Sequence, residues 1–379
     1  VLALLVTLAA AEDLARGEKG ARAWLATPLI AYDSNLGAGA GAYGEYVKGD
    51  PPEGLPFRYK VALQLFATTG GYKHPYLRAD VPGVGGTGLR LGGKLGWKGW
   101  SQAPWYGLGN DSRLDPSWDE TTTFWEMDRR ESALTVRVEL GDTWRVEGGA
   151  EVTREGVAVY PGSLLERDLP AGVTGGRFVV VKAGLRHDTR EDEIDPWDGH
   201  LAELAVRAAG PWTGSDLDEL GVYTSFSAWT LFGERTVLAG RVLADLAAPE
   251  APFWRMSELG GFSRGVVGGR WLLRGLAEHR LAGDVVAATQ AEARVSTFTW
   301  TLRETHTRWL LCPFVDLGQV WMWDEVPVVD PHVTGGAGLR IVLNGLLVLR
   351  ADAGVARERL VDGARSWQPQ VYVLGDHPF

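Results

Sequence analysis

The chain has 379 residues, with 50 glycines, 17 tryptophans, a single cysteine and a formal net charge of −10. That much glycine argues against a helical protein, because glycine costs about 1 kcal/mol at each helix position. The acidic balance argues against a nucleic-acid partner, whose phosphates would repel it, and a lone Cys312 leaves no disulfide within the chain.

Val1–Ala11 is apolar and gives way to Glu12-Asp13, which reads as the core and exit of a secretory signal. It is too short to span a bilayer as a helix, which takes about 18 residues or more; the bland alternative is a short buried helix. A polar link follows. Then strand-like segments run almost to the last residue, separated by Gly, Pro, Asp and Asn. They are Leu36–Val47, Phe57–Thr69, Pro75–Val81, Gly88–Trp97, Thr121–Leu140, Trp144–Val157, Arg177–Asp188, His200–Ala209, Gly221–Leu231 and Arg235–Leu246, then Asp284–Thr297, Trp309–Trp321, His332–Leu343, Leu346–Arg357 and Gln368–Phe379. This makes about fifteen, or sixteen if Thr121–Leu140 is a hairpin broken around Arg129-Arg130. Between Ser257 and Asp284 lies a glycine-rich loop carrying Arg264, Arg270, Arg274, Glu278, His279 and Arg280. The strand after it alternates strictly. Val285, Ala287, Thr289, Ala291 and Ala293 fall on one face; Gln290, Glu292 and Arg294 fall on the other.

Serial hairpin strands fit either soluble sandwiches or one closed barrel. Three features favour the barrel. Tryptophans cluster near strand ends (Trp97, Trp100 and Trp105; Trp118 and Trp125; Trp300 and Trp309; Trp321 and Trp323), as in aromatic girdles at membrane interfaces. The apolar face is built of small residues and Val rather than dense Leu and Phe. The chain ends on a strand in which Val371, Val373, Gly375, His377 and Phe379 share a face. The expected fold is therefore all-β, a transmembrane antiparallel β-barrel of about 16 strands. Hydrocarbon tolerates no unpaired backbone edge, so the sheet must close. The expected plan is a residual signal peptide over 1–11, a short periplasmic link over 12–25 and the barrel over 26–379.

Several short motifs then fall in a recognisable order: Gly260-Gly261, Leu273-Arg274-Gly275-Leu276, Glu292-Ala293-Arg294, Phe314-Val315-Asp316-Leu317-Gly318-Gln319-Val320, Gly336–Arg340, Leu349–Asp352 and the terminal Phe379. Upstream, Tyr106–Asn110, Asp188-Thr189-Arg190 with Pro196 and Gly199, and Pro28–Gly41 add weaker matches. In these motifs the chain resembles the barrel domain of the BamA/TamA family, also called the bacterial surface antigen family. The resemblance implies that Arg274 reaches into the lumen and pairs with acidic wall residues, Asp316 first and Glu292 second. It also implies that Gly260, Gly261 and Gly275 shape the loop and that Phe379 is the C-terminal barrel signal. Two departures stand out. Leu276 replaces the family's aromatic residue, and about 25 residues precede the barrel, whereas family members that insert proteins carry soluble periplasmic repeats there.

Signals for chemistry are absent from the sequence. The seven histidines have no zinc-ligand spacing. His187-Asp188 and the Glu278-His279 pair lack a serine at a defined spacing. Asp188–Asp198 lacks the oxygen-ligand repeat of a calcium loop, and Gly83–Gly93 lacks the Lys-Ser/Thr of a phosphate loop. The expectation is no enzyme, no catalytic residue, no metal and no cofactor. It is a barrel of the bacterial outer membrane, partnered by outer-membrane lipid and by other outer-membrane proteins or periplasmic factors. Its expected role is outer-membrane protein assembly or biogenesis, the alternative being a stand-alone pore or structural surface antigen with a loop-plugged lumen.

Overall fold

The computed structural model describes residues 6–9, 22–49, 57–119, 121–248, 251–262, 265–302, 305–326, 328–343, 347–375 and 377–379. The strands are β1 (Val6–Ala9), β2 (Arg22–Asp33), β3 (Gly37–Lys48), β4 (Tyr59–Thr68), β5 (Tyr72–Lys73), β6 (Tyr76–Val81), β7 (Leu89–Pro104), β8 (Phe124–Leu140) and β9 (Trp144–Val159). They continue as β10 (Gly176–Asp188), β11 (Gly199–Ala209), β12 (Glu219–Phe232), β13 (Thr236–Ala247), β14 (Val285–Leu302), β15 (Thr305–Trp321), β16 (His332–Leu343), β17 (Leu347–Arg359) and β18 (Arg365–Gly375). Each pairs antiparallel with its sequence neighbours, β5 and β6 share one position against β7, and β18 returns to β2. The result is a closed barrel of sixteen strands.

The alternation is inverted relative to a water-soluble sheet. On β12, Leu220 (62 % exposed), Val222 and Phe226 point outward, while Glu219, Tyr223 (1 % exposed) and Ser227 are buried inside. On β13, Leu238 and Val242 point out and Arg241 and Asp245 point in. The largest fully buried side chains include Arg274, Arg280, Arg294, Arg340 and Arg350. A core of ion-paired arginines beneath an apolar outer surface reverses the usual partition.

Three sequence expectations differ from the structure. Phe124–Leu140 is one unbroken strand, not a hairpin at Arg129-Arg130. Successive strand residues face opposite sides, so Arg129 points in to Glu155 while Arg130 points out. Strand β2 begins at Arg22, ahead of the expected barrel start at 26, and Pro28–Gly41 spans two strands joined by a turn; the link over 12–21 lies outside the described residues. Third, Trp100, Trp105 and Trp125 belong to no outer girdle. They are buried with Phe253 and Trp254 and with Leu164 and Leu165 of a short helix, α1 (Leu164–Asp168), in an aromatic core under the long loops. Trp97, Trp300 and Trp323 do remain exposed.

The closure between β18 and β2 is short. Among the described residues the two strands pair at Tyr372 with Asp33 and Val373 with Tyr32. Ser34 extends the contact: its N–H donates to the Val371 carbonyl at 3.0 Å, and its Oγ accepts from the Val371 N–H at 2.7 Å. β3 occupies the other edge of β2 along its whole length. Val6 and Ala9 of β1, inside the stretch expected as a signal, pair with Ala26 and Trp24 on the seam edge. The last residues do not continue β18. The strand ends at Gly375, and 377–379 turn into the lumen, where the Phe379 ring lies 6.3 Å from that of Trp229.

Candidate functional site

The connection between β13 and β14 folds into the barrel and supplies most of its interior. Leu259, Val267, Leu272, Leu273, Leu276 and Leu281 form a buried apolar cluster with Val286 and Val320 of the wall. Leu276, standing where the resemblance implies an aromatic residue, is wholly buried there. This cluster fixes the loop's body, and the charged residues fix its orientation.

Arg274 is the centre of the arrangement, with no exposed surface. Its Nε and Nη2 donate to Oδ2 and Oδ1 of Asp316 at 3.0 and 2.8 Å, a bidentate fork. Its backbone N–H donates to the same Oδ2 at 2.9 Å. Its Nη1 donates to Glu292 Oε2 at 2.5 Å, and its guanidinium carbon stands 3.8 Å from the centre of the Phe314 ring. Burial works against the charge on Arg274, but Asp316 and Glu292 outweigh it and raise the guanidinium above its ordinary value. The period-two register of β14 and β15 puts these carboxylates on the lumen face.

The structure extends this site beyond the residues singled out from the sequence. Arg294 donates Nε to Glu292 Oε1 at 3.0 Å. Arg340 donates Nη2 to Glu292 Oε2 at 3.1 Å and Nη1 to Asp352. Asp352 Oδ2 lies 3.9 Å from Arg274 Nη1 and 3.4 Å from Arg350 Nε. Arg340, Arg350 and Asp352 sit in the Gly336–Arg340 and Leu349–Asp352 motifs, and the signal that marks them is parity. They are charges at inward positions of their strands.

The glycines are explained by close approach. A Cβ on Gly275 would lie 2.6 Å from the Val355 carbonyl carbon and 2.7 Å from its oxygen, so only glycine lets the loop press against β17. A Cβ on Gly261 would meet the Tyr223 ring at 2.5 Å. Gly260 N–H donates to Asp245 Oδ2 at 2.5 Å. Phe379 is not brought to this cluster's centre; its ring lies 5.5 Å from the Arg241 guanidinium and 5.9 Å from that of Arg294.

Further anchors hold the loop around the barrel. Arg280 donates Nε to Glu358 at 2.6 Å, and its Nη1 and Nη2 donate to the Ser112 hydroxyl and carbonyl at 2.6 and 2.8 Å. Asn110 ties the loop after β7 to the loop after β15, donating Nδ2 to the Asp330 carbonyl at 2.9 Å. Arg270 Nη1 donates to Asp33 Oδ2 at 3.1 Å. Ser257 Oγ and His279 Nδ1 lie 2.7 Å apart, and burial pushes the His279 imidazole down to about 4. Arg264 lies outside the described residues. In Asp188–Asp198, Asp192 accepts from the N–H groups of Ile194 and Asp195 and Glu191 from that of Asp198, while Asp188 pairs with Arg145 and Asp195 with Arg308 and His377. This arrangement is a mechanical clamp, and its chemistry is ion pairing.

The barrel is similar to the solved structure of BamA from Haemophilus ducreyi lacking POTRA domains 1-3, at 15 % identity, a TM-score of 0.62, and coverage of 93 % of this chain and 70 % of that one. It is also similar to CdiB from Acinetobacter baumannii (12 % identity, TM-score 0.55, 93 % of this chain and 60 % of that one). CdiB from Escherichia coli matches at 14 % identity and a TM-score of 0.58, over 92 % of this chain and 62 % of that one. At such identities the likeness is one of fold. The chain spans less than two thirds of either CdiB chain. No protein-family model and no curated protein sequence matches it.

Proposed function

We propose that the chain is an integral barrel of the bacterial outer membrane that serves in outer-membrane protein assembly or biogenesis. The observation that carries this reading is the seam. Among the described residues fifteen junctions of the barrel are built ladders, whereas β18 meets β2 at Tyr372–Asp33 and Val373–Tyr32. Beyond those pairs β1 occupies the seam edge of β2 only at Ala26 and Trp24, and the rest of the two edges presents backbone groups that another strand can adopt, the physics of β-augmentation. The apolar outward faces suit a hydrocarbon surround, so lipid is the first partner. Client barrels and periplasmic factors are the second. The fold likeness to BamA and CdiB supports this type of barrel.

The test is reconstitution of the full chain in liposomes with an unfolded outer-membrane barrel as client. The reading expects faster client folding than in empty liposomes, and loss of that gain when Ser34→Cys and Val371→Cys cross-link the seam. No acceleration would remove the assembly role. The alternative is a stand-alone pore or surface barrel whose lumen is plugged. It is favoured by the loop and by the inward turn of 377–379. It expects Arg274→Ala to raise conductance in planar bilayers.

A further inference from the structure

The loop leaves part of the lumen empty. A cavity of about 870 Å³ remains between it and the inner faces of β4–β13. The described residues lining it include twelve arginines and lysines against seven aspartates and glutamates, in a chain whose net charge is −10. A cationic surface enclosed by low-dielectric walls concentrates field on whatever enters.

Several of these cations are committed. Arg90 is paired with Asp80, Lys94 with Glu131, Arg129 with Glu155 and Glu258, Arg186 with Glu203, and Arg255 with Glu219. Arg241 is different. It is 7 % exposed, and among the described residues it forms no ion pair and its buried Nε and Nη2 have no hydrogen-bond partner. The carboxylates nearest to hand are taken: Asp316 by Arg274, and Glu203 by Arg186 and the Phe262 N–H. Register sets Arg241 opposite Ser227 of β12 and Gln290 of β14, and it lines the cavity together with Ser225 and Ser227. The Phe379 ring lies 5.5 Å from its guanidinium.

A buried guanidinium without a counter-charge is costly unless something satisfies it. We propose that the lumen is a binding site for a small soluble molecule bearing a phosphate or carboxylate group, with Arg241 as the anchoring fork. The planar guanidinium matches either oxyanion bidentately. Ser225 and Ser227 add hydroxyl donors, and the aromatic lining of Tyr72, Tyr76, Trp100 and Trp271 suits an organic body. The ladders from β4 to β13 are continuous, so the ligand enters along the barrel axis and not from lipid at the side. The site goes beyond the role proposed for the seam, and its test uses no client protein.

The experiment is calorimetric titration of the purified full chain, at low salt, with inorganic phosphate and separately with citrate. Wild type is expected to bind at least one of them saturably. Arg241→Met, which keeps the contact with Phe379, should weaken binding at least tenfold, and Arg241→Lys should fall between. Thermal melting is the second readout. The anion should raise the Tm of wild type and leave that of Arg241→Met unmoved, and without anion the Met variant should melt no lower than wild type. The proposal is overturned by the absence of saturable binding of either probe, by equal affinity in the Met variant, or by a lower Tm of that variant in anion-free buffer. The last result would make Arg241 a structural residue.

Discussion

Asp33 and Tyr372 face each other across the seam, and the same loop holds both. Asp33 accepts from Arg270 Nη1 at 3.1 Å, and the Tyr372 hydroxyl donates to the Leu276 carbonyl at 3.1 Å. The junction with the least backbone pairing is therefore also gripped by the loop. Loop position and seam closure are coupled through two contacts flanking Arg274.

That coupling can be read by cross-linking. Ser34→Cys with Val371→Cys places thiols at the hydrogen-bonded end of the seam, and the native Cys312 is too buried to compete. The disulfide should form under mild oxidant, seen as altered gel mobility without reductant. Adding Asp316→Ala should lower its yield several-fold. An equal yield with and without Asp316 would mean that the loop does not hold the seam.

Removing Asp316 leaves Arg274 buried with its fork unfilled, a defect that typically costs about 3–5 kcal/mol. Asp316→Ala should expose the loop to limited proteolysis and abolish the fast-migrating form on unheated gels. Asp316→Asn, which keeps an acceptor but not the charge, should be intermediate. Unchanged protease sensitivity and unchanged heat-modifiability together would count against the clamp.

Gly275→Ala forces a methyl into the Val355 backbone. Overpacking of this kind costs about 1–3 kcal/mol, so the variant should reproduce a weakened form of the Asp316→Ala phenotype. Gly93→Ala on β7, where a Cβ would meet nothing closer than 4.0 Å, should be neutral and serves as the control.

His279 makes the loop sensitive to acid. Burial lowers its folded value from 6.5 to about 4. Between those limits the released loop takes up a proton that the buried ring refuses, so stability falls as pH drops, by at most about 1.4 kcal/mol per unit, and levels off below. Above 6.5 the imidazole is neutral in both states and contributes no slope. Asn tolerates the left-handed backbone that His279 adopts, at φ 57°. His279→Asn should therefore fold and should flatten the dependence of Tm between pH 6.5 and 4 relative to wild type.

What could be read from the sequence was whatever strand parity fixes. The alternation after Asp284 assigns Gln290, Glu292 and Arg294 to one face, and all three are buried in the lumen. Asp316 follows from the same rule one strand later, once the resemblance names Arg274 as its partner. The remainder of the cluster, Arg340, Arg350 and Asp352, obeys the same parity but carried no partner in one dimension. Tryptophans at strand ends were ambiguous because an interfacial girdle and an inner cap have the same linear spacing; Trp100 of β7 and Trp125 of β8 stand on the inward faces of their strands, and the fold of the loops brings Trp105 to them. The departure of Phe379 from its strand was invisible for a related reason. Continued in register, 377–379 would come beside Pro28–Ala26 of β2, where Pro28 has no N–H to give and Ala26 already pairs with Val6 of β1.

The placement of the seam pairs on β2 has a mechanical consequence. They sit at the Asp33 end, and the strand begins at Arg22, roughly 35 Å away at about 3.3 Å per residue. A sideways pull at the start of β2, where β1 adds two pairs at Trp24 and Ala26, thus works through a long lever against a short clasp, with the β3 ladder as its hinge. The barrel would yield by peeling one pair at a time rather than by shearing a whole row of bonds at once. A lateral load at one rim of the seam falls on few bonds, while the same load on a strand away from the seam is shared along its full length.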